Sequence, residues 1–247
     1  MQGFLAHVTA SPALAALVLV IVFAASLVQF GLGMGFGLTA APLLALIDPM
    51  LVPVPALFIG FLTSSWGAWR ERGAIRWAEV VPAAFGRLVG VALAAAVLSV
   101  AITREAFSLV FGIFVGLAVL LSVTGWRLDF SRRNLVAMAV VSGVMGTITS
   151  VGAPPLAIVY QARPAREARP TLAAFFAIGC AISLAGLFAT GWATGRDAGL
   201  ALMMLPGVVA GAVVARRIGT RLDSRYRPLL LTVAGLASAL LILRGVA

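Results

Sequence analysis

Residues with reactive side chains are few in this chain, and their placement excludes more chemistry than it suggests. The eight carboxylates are Asp48, Glu71, Glu79, Glu105, Asp129, Glu167, Asp197 and Asp223, and each falls in a polar stretch or at the edge of an apolar run. His7 is the only histidine and Cys180 the only cysteine. An acid–base, nucleophilic or metal-assisted reaction inside an apolar run needs a histidine or carboxylate placed there. The pattern argues against an intramembrane enzyme. It also removes the usual buried carboxylate of a proton-coupled carrier, so the energy source stays open. A single cysteine allows no internal disulfide; Cys180 reads as a small core residue.

The chemistry that remains belongs to the backbone. "FGLGMGFGLTAAPLLALIDP", Phe30–Pro49, places Gly31, Gly33, Gly35 and Gly37 inside an apolar run and follows them with Pro42. "GVMGTITSVGAPPLAIVY", Gly143–Tyr160, repeats the theme with Gly146, Gly152, Pro154 and Pro155. Glycine and proline break helices. A break leaves N–H groups without helical partners, and in lipid those groups must face protein, water or a ligand. The returning helices are predicted to start near Leu38–Thr39 and near Ala153–Pro154. A helix N-terminus is partly positive and binds anions readily. The glycines let a ligand approach the backbone, and Pro154 suits a first helical turn. Thr39, Thr147, Thr149 and Ser150 add hydroxyls without negative charge. Two such helix starts, converging, favour a small oxyanion.

Two further side chains join this candidate site. Arg87 in "AAFGRLVGV" is the one formal charge well inside an apolar run. It can pair with an anion or snorkel to the interface. Gln29 precedes the first break and can line a path or cap the turn. The expected substrate-binding set is therefore Gln29, Gly33, Gly35, Gly37, Leu38, Thr39, Arg87, Thr147, Thr149, Ser150, Gly152, Ala153 and Pro154. No catalytic residue, metal ligand or cofactor is expected. Thr63, Ser64 and Ser65 lie in a span and can bond to their own helix. The competing reading of the glycines is close helix–helix packing.

The elements that must position these residues follow from composition. The chain has 247 residues, 62% hydrophobic and 11% charged, and a mean hydropathy of +1.10. Soluble domains carry about 25% charge. Apolar runs cover 12–47, 53–69, 80–100, 106–125, 134–160, 171–192, 198–215 and 228–244. They are predicted to be membrane helices, so the fold class is an all-α polytopic membrane protein. The N-terminal run lacks a preceding basic region and reads as a retained span.

The net charge of +10 comes from arginine without lysine. Fourteen of the arginines fall in loops 70–79, 127–133, 161–169 and 216–227. They form no solvated basic domain, so nucleic acid is not an expected partner. They read as a topology signal, with these four loops cytoplasmic. Runs 12–47 and 134–160 then begin and end on the same side. Each becomes a helical hairpin, fully crossing or re-entrant, and the other three spans of each half cross. The single membrane domain, 1–247, is expected to comprise two inverted repeats, 12–125 and 134–247, in the manner of secondary transporters. "GLTAAPLLALI" matches "SVGAPPLAIVY" at an offset of 113, and Pro82 matches Pro206 at 124. Both termini are predicted to be periplasmic, and the tryptophans to anchor span ends.

"GLGMGFGLTAAPLLALI", "TSSWGAWRERGAIRW", "SGVMGTITSVGAPPLAIVYQARP" and "LPGVVAGAVVARRIGTRL", in that order, resemble the TauE/SafE family of sulfite and organosulfur-anion transporters. The resemblance covers nearly the whole chain. It implies transport of sulfite, sulfonates or related small anions across a bacterial inner membrane, outward in many members. The stretch "GTITSVGAPP" departs from the glycine-richer sequence common in that family, which bears on the exact anion. A small carboxylate carrier or an anion channel on the same scaffold are the alternatives. Expected partners are the small anion, the lipid bilayer, a coupling ion (proton or sodium) left open, and a second copy in a homodimer.

Overall fold

A computed structural model describes residues 11–32, 34–100, 104–218 and 227–246. The described residues form helices and no strand, as hydrocarbon demands of a backbone that must satisfy its own hydrogen bonds. In chain order the helices are α1 (Pro12–Leu32), α2 (Phe36–Ile47), α3 (Val54–Arg70), α4 (Trp77–Val100) and α5 (Arg104–Val123). The second five are α6 (Arg132–Thr149), α7 (Ala153–Tyr160), α8 (Ala165–Ala189), α9 (Gly195–Ile218) and α10 (Arg227–Val246). Short 3₁₀ turns at Pro49–Leu51 and Arg72–Ala74 flank α3. Six of these are long and apolar enough to span a membrane: α1, α3 with the turn before it, α4, α5, α8 and α9. α6 opens with Arg132 and Arg133 and is not among them.

Both predicted breaks are present. α1 stops at Leu32 and α2 starts at Phe36; α6 stops at Thr149 and α7 starts at Ala153. The second helix of the first pair begins at Phe36 rather than at Leu38–Thr39. Gly35 adopts φ 121, a conformation side chains rarely allow, and the Gln29 amide oxygen accepts the Phe36 N–H at 3.0 Å. The helix can therefore start at once. The two returning helices thus begin 117 residues apart, not 113. The difference is about one helical turn, which keeps nearly the same face.

Packing pairs the helices in a regular way. α4 lies on α6 and α1 on α9; α5 lies on α10 and α3 on α8; α4 also meets α8, and α9 meets α3. Exchanging the first five helices for the second five maps each of these pairs onto another or onto itself. The closest crossings use matching glycines. A methyl on Gly86 of α4 would lie 2.6 Å from the Val136 carbonyl, and one on Gly207 of α9 would lie 2.8 Å from that of Leu19. Gly90 and Gly211, four residues further on, meet α6 and α1 in turn. Lipid is as apolar as leucine, so such close backbone contact is what holds helices together there.

The larger buried cluster includes Leu44, Leu57, Phe111, Met145, Ile148 and Leu184. It fills the part of the protein away from the arginine-rich loops. A smaller cluster around Leu135, Leu156, Val159 and Leu172 lies toward them. Trp66, Trp69, Trp77 and Trp126 are exposed near helix ends on that side.

Candidate functional site

Helix α4 carries Arg87 into the interior. Phe85 is 67% exposed and Leu88 52%, whereas Arg87 between them is 2% exposed. The lipid-facing side of α4 is thus apolar, and the guanidinium points inward rather than snorkelling to an interface. Its Nη1 donates to the Ser142 carbonyl at 2.7 Å and to Ser142 Oγ at 3.0 Å. Its Nη2 donates to Ser183 Oγ at 3.1 Å. Nε has no partner. The Phe175 ring centroid lies 6.0 Å from the guanidinium carbon. Among the described residues no carboxylate pairs with Arg87; the ion pairs join Arg76, Arg163 and Arg169 to Glu71, Glu79 and Glu167. An arginine stays charged in a protein, and a buried charge without a counter-charge costs several kcal/mol. The site holds a fixed positive charge with an unused donor.

Glycines make room for that charge. A methyl on Gly146 would sit 2.7 Å from Arg87 Nη1, one on Gly152 2.8 Å from the same nitrogen, and one on Gly179 3.0 Å from Nε. Gly146 belongs to α6, Gly152 to the second break and Gly179 to α8. The glycines of the second break, expected to admit a ligand to the backbone, admit the guanidinium of α4 first.

The two breaks meet. Gly37 packs its backbone directly on the Ser150 carbonyl, leaving no space for a side chain. Ser150 itself is left-handed, φ 63, and ends α6 with its N–H on the Gly146 carbonyl at 2.9 Å. Its hydroxyl donates to the Pro53 carbonyl at 2.9 Å. The helix starts differ in their donors. In α2 the Phe36 N–H is taken by Gln29, and Gly37 and Leu38 carry the next N–H groups of the first turn. In α7 the second and third residues are Pro154 and Pro155, which have no N–H. Only Ala153 supplies one. Positive charge on that side comes from Arg87 instead of from a fully furnished helix end.

These groups line one cavity of about 50 Å³, enough for one small oxyanion or a few waters. Of the expected residues, Gln29, Gly35, Gly37, Leu38, Arg87, Ser150, Gly152 and Ala153 line it. Thr39 and Pro154 line a neighbouring chamber, and the Thr39 hydroxyl donates to the Gly35 carbonyl at 2.9 Å. Thr147 and Thr149 are fully buried away from the cavity. The first bonds Ser183 Oγ at 2.8 Å; the second donates to the Met145 carbonyl at 2.7 Å and accepts the Val151 N–H at 3.1 Å. They hold the second break rather than face its cavity. Gly33 lies outside the described residues. Sequence reasoning missed Ser142 and Ser183, which orient Arg87, and Gly179, which helps seat it; Gly146 was read as a glycine of the break and not as a seat for the guanidinium. Cys180 and Ser64 also reach the cavity.

A smaller space of about 30 Å³ shares Gln29 and Ser64 with this cavity and runs to Arg70, Glu71 and Arg169. There Arg169 Nε lies 3.6 Å from Glu71, and its Nη2 donates to the Phe30 carbonyl at 3.2 Å. This second space lies between the small cavity and the arginine-rich loops.

Comparison with known families matches residues 17–241 to the family described as sulfite exporter TauE/SafE. Comparison with curated proteins and with solved structures finds no match.

Proposed function

The chain belongs to the TauE/SafE sulfite exporter family, a family of multi-pass membrane transporters, and from that premise we propose that it exports small sulfur oxyanions, sulfite first and small sulfonates with it. One observation carries the reading: Arg87 is buried without a carboxylate, keeps an unpartnered Nε, and lies in the cavity where the two helix breaks meet. An anion there supplies the missing counter-charge. Gly37 and Leu38, in the first turn of α2, line the same space.

The transport reading extends to architecture. The exchange symmetry of helix contacts and the glycine crossings of α4 on α6 and α9 on α1 support two repeats, 12–125 and 134–247. In that reading Arg87 corresponds to Val208, each following the first glycine of its crossing, so the charge belongs to one half alone. The arginine-rich loops put that face in the cytoplasm and both termini in the periplasm of an inner-membrane protein. The second space by Arg70 and Arg169, with the larger core on the other side, suits a carrier waiting to be loaded from the cytoplasm.

The test is labelled sulfite flux in proteoliposomes, with and without Arg87→Met. Saturable flux with counterflow, lost in the variant and not inhibited by lactate, supports an oxyanion carrier. Wild-type flux in the variant overturns the site. Non-saturating flux indicates a channel, and competition by lactate a carboxylate carrier.

A further inference from the structure

The second space, about 30 Å³, is lined by more charge than the Arg87 cavity beside it. Arg70 and Arg169 face one carboxylate there, Glu71. Arg169 is shared between Glu71 and the Phe30 carbonyl. Arg70 makes no ion pair among the described residues. Arg216 adds a third guanidinium, 5.6 Å from the ring of Trp66, which lines the same space. Glu79 and Glu167 are held by Arg76 and Arg163 instead. Positive charge is therefore in excess. The side chains of Arg169 and Glu71 are 41% and 36% exposed, so their pairing is weak. An anion arriving from water can take the place of Glu71.

Gln29 and Ser64 line both spaces, and each carries an unused donor. Thr63 bonds back to its own helix, its Oγ1 donating to the Ile59 carbonyl at 2.9 Å, as a hydroxyl in an apolar helix usually does. Ser64 beside it is 4% exposed, and among the described residues its hydroxyl has no hydrogen-bond partner. The Gln29 amide oxygen takes the Phe36 N–H, which leaves the amide nitrogen free. A buried donor without an acceptor is costly. An oxyanion passing between the two spaces meets both. We propose that Arg169, with Arg70, is a capture site for the small oxyanion, which exchanges with Glu71 there and passes Gln29 and Ser64 on its way to Arg87. The inference rests on the anion reading of the Arg87 cavity and adds the site that precedes it. Its charged heads are partly in water, so it holds the anion more weakly than Arg87 does. It sets the rate of loading, not the affinity of the buried site.

Labelled sulfite flux in proteoliposomes tests it. Arg169→Gln should raise KM about tenfold by loss of steering, with kcat little changed; misfolding would lower kcat instead. Sulfite affinity at equilibrium, read by isothermal titration, should move far less than KM. Glu71→Gln frees Arg169 and should lower KM, a gain that misfolding does not produce. Raising salt from about 0.01 to about 0.15 M should raise KM in the unaltered protein and much less in Arg169→Gln, because exposed charges are screened over that range. Arg70→Gln serves in its place should Arg169→Gln fail to fold. An unaltered KM in the arginine variants, a KM raised by Glu71→Gln, or equal salt dependence with and without Arg169 overturns the capture site while sulfite flux persists. Absence of sulfite flux in the unaltered protein overturns instead the anion reading on which it rests.

Discussion

Arg87 and Gly152 compete for one space: the position a side-chain carbon would take on Gly152 lies 2.8 Å from Arg87 Nη1. The second break is therefore shaped around a guanidinium from another helix. Gly152→Ala and Gly146→Ala should each displace it. Overpacking of this kind costs about 1–3 kcal/mol, which at the anion site is roughly a ten- to hundredfold loss of sulfite affinity. Gly179→Ala, with 3.0 Å to Nε, should cost less, and Gly73→Ala, with open space around it, nothing. Isothermal titration with sulfite across the four variants reads the order; an effect of Gly73 as large as that of Gly152 would refute it.

Replacing Arg87 separates stability from binding. Without the arginine, Ser142 Oγ still donates to the Gly152 carbonyl at 2.7 Å, and Ser183 and Thr147 still bond each other at 2.8 Å. Few groups are orphaned, and exchanging a buried charge for an apolar side chain is often neutral or stabilising. Arg87→Met should therefore melt at or above the temperature of the unaltered protein. Sulfite, which raises the melting temperature of whatever folded state it binds, should no longer do so. Arg87→Lys should not restore the shift, since one ammonium cannot span Ser142 and Ser183 and still present a free donor. A sulfite shift retained in Arg87→Met contradicts the assignment.

Gln29 makes a second separation. Its amide oxygen caps α2 through the Phe36 N–H at 3.0 Å. Gln29→Ala removes the cap, and caps contribute about 1 kcal/mol. Gln29→Glu keeps the acceptor and improves it, because a carboxylate is favoured at a helix N-terminus. The same carboxylate adds negative charge to the cavity wall. Thermal melts should rank Gln29→Glu at or above the native residue and Gln29→Ala below it. Sulfite affinity should fall furthest in Gln29→Glu. Parallel losses of stability and affinity in both variants would reduce Gln29 to a structural cap.

The break positions and the residue types of the site were legible in the sequence because glycine clusters in apolar runs have few uses. Which way Arg87 points was not. An arginine eight residues from Glu79 can reach an interface or the interior with equal ease, and the choice is made by α6 and α8 packing on one face of α4. Ser142 and Ser183 gave no signal, since a serine in an apolar helix usually bonds its own backbone; their partner lies on another helix. Thr147 and Thr149 had the same composition cue as Ser150 and went the other way. Helical rotation turns them from the cavity, and their hydroxyls brace the break. The returning helices begin 117 residues apart against the 113 of the sequence match, a difference that returns nearly to the same helical face.

The placement of the loops can be tested from α3. Its 17 residues span about 26 Å, close to the hydrocarbon thickness of roughly 30 Å, so Asp48 before it and Arg72 after it are expected on opposite faces. Beyond α3, the Arg76 N–H donates to Thr171 Oγ1 at 3.1 Å, and Arg163 Nη2 lies 3.4 Å from Glu79. The loop between α7 and α8 is thereby held with the loop after α3. In a Cys180→Ser background, Asp48→Cys and Ala162→Cys should label with a membrane-impermeant maleimide from opposite sides. Ala162 should react only from the cytoplasm and Asp48 only from the periplasm. Labelling of both from one side would mean that α3 does not cross, and the two-repeat arrangement would fall with it. Opposite labelling in the reversed sense would keep the repeats and invert the direction in which the Arg87 cavity faces.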